Sequence, residues 1–410
     1  VLLCCARLSL SSSQRASVRS LIASGVDWER LAALAKRHGL TLLVHRHLAR
    51  DFADLCPAPA LEAMASAARG IVAVNLVLAG ELGRLLPDLE ALSCWPVVLK
   101  GPALAVAVYG DLASRAFSDV DLVVEPSSKV RAWELLESRG YVPSPSTPPR
   151  WRETWRRSTH EQLFERKDLP LLVDLHWELT ARGYSYSMCL EEVRPRLVRV
   201  PVGAGEVWTL GPEDNLLSLC CHGMKHNWAA LSWLVDVAEL VRGQEGLDWD
   251  AVLRWSRAFG RRRPVQLGLH LAHRLLEAPV PAEVLAEGDR DPEVETLVGA
   301  VSTAFLDPSS APGQGLWGSM VRSVRFRGTE SWSDRVRFLH EWVLMPRPPD
   351  WEWVSLPTWA GPAYYLVRPL RLSLKHGWAL LGFRAAGQSA ARSAVRRRSH
   401  GGAGSAHPMR

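Results

Sequence analysis

The sequence predicts an α+β protein in which a compact mixed region lies between two helical ones. Three observations carry this. Through residues 1–92 apolar side chains recur at helical spacing, as at Trp28, Leu31, Leu34 and Ala35 behind the candidate N-cap Asp27. Through residues 93–210 that period gives way to short β-branched runs bounded by Gly and Pro, such as PVVLKG (96–101) and SDVDLVVE (118–125). From Gly211 the helical period returns, with Glu213 and Asp214 placing acids in a first turn where the helix dipole favours them.

Taken in order, Gly39 ends the first amphipathic helix, residues 40–48 begin another, and 61–92 form a long periodic segment broken only by Pro87. Residues 96–101 read as a strand and turn. Residues 102–109 read as a helix with Pro tolerated at its first position and Gly110 closing it. A second strand follows over 118–125, then a helix over 127–140 with Val130, Trp133 and Leu136 in phase. Residues 143–149 (PSPSTPP) read as a loop, 160–166 and 171–177 as a hairpin, and 198–210 as a short strand pair. Helices are expected at 213–225, 229–243, 248–259, 264–276, 292–304 and 330–343. A loop is expected at 307–315, a break at 346–353, and a last helix over 363–383. The resulting division is a helical segment 1–92, a core 93–210, a helical domain 211–345, a Pro/Trp-rich segment with the last helix 346–383, and a basic, disordered tail 384–410.

The 410 residues carry a net charge of +6, and six arginines between 381 and 410, with no acid among them, account for the whole excess. The body is near neutral, so a long nucleic acid is disfavoured as a partner. Seven cysteines without a CxxC pair argue against a disulfide framework and for reduced thiols in a cytoplasmic setting. No run of about 18 uncharged apolar residues is present, so no transmembrane helix is expected. Arg368, Arg371 and Lys375 stand beside Leu and Trp within 363–383. That segment reads as a helix on a membrane surface or, preferentially, as one packed on the protein with its basic face in water.

The chemistry concentrates in the core. Asp119 and Asp121 flank Val120, and alternate residues of a strand share a face. Two like charges side by side cost free energy unless a cation offsets them; Mg²⁺ takes such carboxylates together with substrate phosphates. A solvated pair at a strand end is the plain alternative. Asp174 interrupts the apolar run LLVDLHW and shares a face with His176, which reads as a hydrogen-bonded core residue. The turn VVLKGPALA offers backbone N–H groups, a helix N-terminus and Lys100 to a triphosphate, and Arg115 precedes Asp119 by four residues. His222, Lys225 and His226 share a helix face; a zincin-type site needs Glu beside the first His, where Gly223 stands. Asp236, in an apolar stretch, needs a basic partner. Trp233 reads as core or as a base-stacking wall, Tyr109 as a packing residue with its hydroxyl at the surface, and Asp111 as a turn acid.

Taken together, LKGPALAVAVYGDLASRAFSDVDLVV resembles the polymerase β-type nucleotidyltransferase superfamily, in particular its bacterial branch of uncharacterised nucleotidyltransferases. DWERLAALAKRHGLTLLVHRHL, VDLHWEL and CHGMKHNWAALSWLVDVAELV resemble other parts of that branch, so the likeness spans about residues 25–245. It implies a polymerase β-like core of a small mixed sheet with helices. It implies that Asp119, Asp121 and Asp174 hold Mg²⁺ (or Mn²⁺), with Asp174 helping to deprotonate the acceptor. Lys100, Gly101, Arg115 and Ser118 would lie at the nucleotide, and His222, Lys225 and His226 would face the same cleft. The implied reaction moves an NMP from an NTP, ATP by default, to an unidentified hydroxyl of a small molecule, peptide or protein, releasing pyrophosphate. Where the superfamily has Gly-Gly or Gly-Ser, this chain has Lys100-Gly101-Pro102. That departure motivates the alternative of a non-catalytic nucleotide-sensing or partner-binding module.

Overall fold

A computed structural model describes residues 1–144, 151–169, 171–179, 188–306 and 323–375. They fall into two units, one comprising the described residues up to 306 together with 323–338, the other 339–375.

The first unit opens with four helices: α1 (Ser12–Ala23), α2 (Trp28–Arg37), α3 (Thr41–Asp51) and α4 (Ala58–Ala91). Asp27 caps α2 by accepting from the Arg30 amide, as its position in the sequence predicts. α4 runs through Pro87 and buries Leu78, Leu82, Leu85 and Leu89. By length and composition it is also long and apolar enough to cross a membrane, which the search for an uncharged run did not anticipate. Its buried leucines instead join the core beneath the sheet.

That sheet is built from β1 (Val97–Val98), β2 (Val120–Val123), β3 (Tyr141–Ser144), β4 (Glu161–Arg166) and β5 (Leu171–His176), in the order β1-β2-β5-β4-β3. β2 and β5 are parallel and the other pairs antiparallel. Helices α5 (Gly101–Tyr109), α6 (Lys129–Ser138) and α7 (Arg152–Ser158) lie between strands in the chain. One face of the sheet sends Val120, Leu122, Val173, Leu175 and Phe164 into a core with α4 and α6. The helical part follows a short α8 (Leu190–Val193) and a separate ribbon of β6 (Val198–Val202) and β7 (Gly205–Thr209). It comprises α9 (Pro212–Lys225), α10 (Leu231–Gly243), α11 (Trp249–Ala258), α12 (Arg262–Leu276), α13 (Ala282–Asp289) and α14 (Pro292–Leu306). α15 (Val324–Arg327) and α16 (Trp332–Leu339) come after it in the chain. Leucines of α9, α10 and α12 share one core with α1 to α3.

Several expectations are corrected. Pro143 and Ser144, read as loop, belong to β3: it is the edge strand, so Pro143 removes no interior ladder bond, and buried Tyr141 anchors it by donating to Glu81. α7 and α13 were not anticipated. The helix expected over 330–343 is α16 followed by a π-turn over His340–Leu344. The expected break at 346–353 contains α17 (Pro348–Trp353), with Pro at its start where the missing N–H costs nothing. The loop at 307–315, most of 143–149, the end of the last helix and the basic tail lie outside the described residues.

The second unit is organised by a buried carboxylate. Asp350 is fully buried and pairs with Arg368 (3.1 Å) and Arg371 (2.5 Å), both from α18 (364–375). Arg368 also donates to the Trp342 carbonyl, and the Tyr364 hydroxyl bridges Val354 and Leu356. The expectation of a basic face in water is thereby overturned, because the two arginines point inward.

His38, just past α2, ties the N-terminal helices to α10. Its Nδ1 accepts from the Leu231 amide (3.3 Å) and its carbonyl from that of Ser232 (3.1 Å). Burial, reinforced by Arg37, holds its pKa below the ordinary 6.5. The unfolded chain therefore takes up this proton first. The contribution is complete above pH 6.5 and is lost as pH falls below it toward the folded value. In urea titrations between pH 7.5 and 5.5, His38→Gln should show a shallower loss of stability on acidification than the native chain.

Candidate active site

The site follows from strand register. Asp121 of β2 lies opposite Asp174 of the parallel β5, and His176 of β5 lies opposite Glu161 of β4. Register partners share a face, and so do residues two apart on a strand. Asp121, Asp174, His176 and Glu161 therefore gather on the face opposite the Val120, Leu122 and Leu175 core. Lys100 reaches the same place from the turn after β1, whose Leu99 amide donates to the Asp121 carbonyl.

The side chains form one charged network. Lys100 Nζ is 3.0 Å from Asp121 Oδ1, and His176 Nε2 lies 3.4 Å from Asp121 and 3.3 Å from Asp174. His176 Nδ1 is 3.4 Å from Glu161, which also meets His160 Nε2 and, from α9, Lys225 Nζ, each at 3.0 Å. His222 Nδ1 is 3.3 Å from Lys100 Nζ. Burial opposes the Asp121 charge, yet Lys100 and His176 hold its carboxyl well below the usual range. Burial also opposes the charge on His176, but Asp174 and Asp121 outweigh it and raise the imidazole to about 10. Burial works against the Lys100 charge as well, and Asp121 overcomes it. Asp119 is pushed up to about 6 by burial and then by its neighbour Asp121. His222 is driven well below its ordinary value by burial and by Lys100, so its Nδ1 is free to accept from that ammonium.

Atoms of Asp121, Asp174 and His176 lie within 4.8 Å of one another; with the imidazole charged, the two carboxylates are the groups able to hold a metal ion. Asp174 Oδ1 is buried without a hydrogen-bond partner, and hard oxygen donors suit Mg²⁺ or Mn²⁺. The donor set therefore fits the expected ion. Asp119 stands outside this cluster, although its shift shows that it feels Asp121 and Asp174.

The predicted nucleotide residues divide. Lys100, His222 and Lys225 line a cavity of about 80 Å³ together with His160, Glu161 and His176. His226 packs its ring on His222 (4.6 Å) and on Trp233 (5.1 Å), which makes Trp233 a half-buried wall beside this face. Ser118 opens instead into a groove of about 960 Å³ with Phe117, Leu172, Ile71 and Val74. Arg115 is corrected: its guanidinium is held by Asp236, Nε and Nη2 each at 2.8 Å, rather than left free for phosphate. The Tyr109 hydroxyl, expected at the surface, is buried and donates to Asp236 at 2.6 Å. Asp111 is the turn acid it reads as, accepting from the Ala113 amide and the Ser114 hydroxyl. Glu161 and His160 were missed. Once 160–166 and 171–177 are read as a hairpin, the register that faces Glu161 with His176 is the signal that finds them.

Gly101 has φ +54°, and a Cβ there would lie 2.9 Å from the Asp119 carbonyl oxygen. Gly is required both by conformation and by this close approach of the turn to the carboxylate strand. Gly101→Ala should cost about 1–3 kcal/mol in urea unfolding. It should also weaken nucleotide binding more than an Ala placed at Gly110, where a Cβ meets nothing.

Residues 24–277 match the family model described as uncharacterised nucleotidyltransferase. No curated protein and no solved structure shows significant similarity to the chain.

Proposed function

Because the chain belongs to the uncharacterised nucleotidyltransferase family, we propose that it transfers an NMP from an NTP, ATP by default, to a hydroxyl of a small-molecule, peptide or protein acceptor. The core from β1 to β5 is read as polymerase β-like. The observation that carries the proposal is the pairing of Asp121 and Asp174 on adjacent parallel strands, with an unpartnered Asp174 oxygen, beside a strand–glycine–helix turn bearing Lys100.

Mg²⁺ or Mn²⁺ held by Asp121 and Asp174, with Asp119 beside them, would supply electrostatic stabilisation of charge on the α-phosphate. The chain's own groups do the rest. Lys100 and the amides at the start of α5 receive the triphosphate. Asp174 Oδ1 takes the acceptor proton as the acceptor oxygen bonds to the α-phosphorus. The bond to the β-phosphate oxygen breaks, and pyrophosphate leaves with that electron pair. His176, charged and held between Asp121, Asp174 and Glu161, keeps Asp174 oriented for this role. Seven free cysteines agree with a reducing compartment.

Thermal unfolding with each of the four NTPs, with and without Mg²⁺, tests this reading. A ligand at about 100 times its dissociation constant adds about 2.7 kcal/mol to the folded state. A Mg²⁺-dependent shift is expected, and its loss in Asp119→Asn/Asp121→Asn. The absence of a shift with every nucleotide would overturn the proposal. The Lys100–Asp121 contact favours a second reading, in which the cation has taken over the carboxylate and nucleotide is bound without turnover. A shift accompanied by no NMP formation would select it.

A further inference from the structure

The helix α18 is turned the opposite way from a surface helix of a soluble domain. Its arginines face inward to Asp350, with Arg368 only 4% exposed, while three of its leucines face out: Leu366 is 75% exposed, Leu370 55% and Leu374 45%. These three recur every fourth residue, so they form one stripe. Tyr365 borders it, Trp353 lines a shallow depression with Leu374 and Lys375, and Trp359 is 85% exposed. Exposed leucines flanked by Trp and Tyr are the composition of a helix that lies in a bilayer interface, with aromatic rings at headgroup depth.

Charge identifies the kind of surface. Residues 346–410 hold ten basic side chains and two acids, a net +8, while residues 1–345 sum to −2. Beyond Glu352 there is no acid, and seven cations stand at or after Lys375. An apolar stripe continued by a run of cations without acids matches an anionic lipid surface. A nucleic acid would instead select a helix with its cations outward, and α18 commits two of its three to Asp350.

We propose that the outward face of α18, with Trp353 and Trp359, docks the protein on membranes rich in anionic lipid. The surface shares no residue with the candidate active site, and the inference does not rest on the transferase reading.

The test uses the full chain and large unilamellar vesicles, of phosphatidylcholine alone or with three-tenths phosphatidylglycerol, separated by sedimentation. The protein should pellet with the anionic vesicles and not with the neutral ones, and less so as salt rises. Leu366→Glu/Leu370→Glu should weaken this binding by about tenfold or more without altering thermal unfolding, since both side chains already face solvent. Arg396→Ser/Arg397→Ser/Arg398→Ser should weaken it through charge alone. Failure to pellet with anionic vesicles, or full binding by the leucine variant, would overturn the proposal. So would a leucine-dependent self-association seen without vesicles, or leucine-dependent binding of a duplex oligonucleotide in place of lipid.

Discussion

Asp236→Ala is expected to destabilise the first unit by about 3–5 kcal/mol, the cost of leaving a buried charge without its partner. Asp236 is almost fully buried and takes three hydrogen bonds, two from Arg115 and one from Tyr109. It stands on α10 and its partners at the end of α5 and in the loop beyond, so the cluster fastens the helical part to the end of α5 remote from Lys100. Burial, then Asp236, raises the Tyr109 hydroxyl well above its usual pKa. Urea unfolding checks the size of the effect. Tyr109→Phe/Arg115→Met/Asp236→Leu, which removes every member, should recover most of the loss, because a buried ionic cluster and a packed apolar one differ little in net stability. A loss below about 1 kcal/mol for Asp236→Ala would mean that water reaches the cluster.

Asp174→Asn should separate binding from chemistry. Its unpartnered oxygen is the group proposed to accept the proton, whereas Lys100 and the Gly101 turn receive the phosphates. The variant is expected to form NMP and pyrophosphate, with water as the default acceptor, at least about 10²–10³ times more slowly. Its Mg²⁺-dependent thermal shift with NTP should persist but require more Mg²⁺, because Asp121 still holds the ion while an amide oxygen replaces one carboxylate. Should turnover be unchanged, the base is elsewhere; should the shift vanish with the rate, Asp174 serves binding alone.

What the sequence disclosed depended on how local the signal was. Asp119, Asp121 and Asp174 stood out as candidates because a carboxylate in a β-branched run violates the local pattern. The helices around the core were legible because a periodic apolar face persists for several turns. Glu161 and His160 were not, because their meaning depends on which residue lies across the strand pair. Arg115 was misread because its partner stands 121 positions away, and a lone arginine before a DxD pattern gives no sign of that. β3 was hidden by Pro143, which reads as a loop residue unless the strand is known to be an edge. In α18 the arginines looked solvated because Asp350, the acid that draws them in, sits in a segment read as a structural break.

The pairing of Asp121 with Asp174 also bears on how the chain avoids folding wrongly. A slip of one residue between β2 and β5 would reverse the faces of one strand. The carboxylate of that strand would then enter the leucine and valine layer beneath the sheet, and its aliphatic side chains would enter the charged network. Burying an unpaired carboxylate is far costlier than misplacing a valine. The acids thus proofread the sheet: the pairing that assembles the site is also the one the acids can tolerate. Replacing them with apolar residues would remove that penalty and leave both registers open.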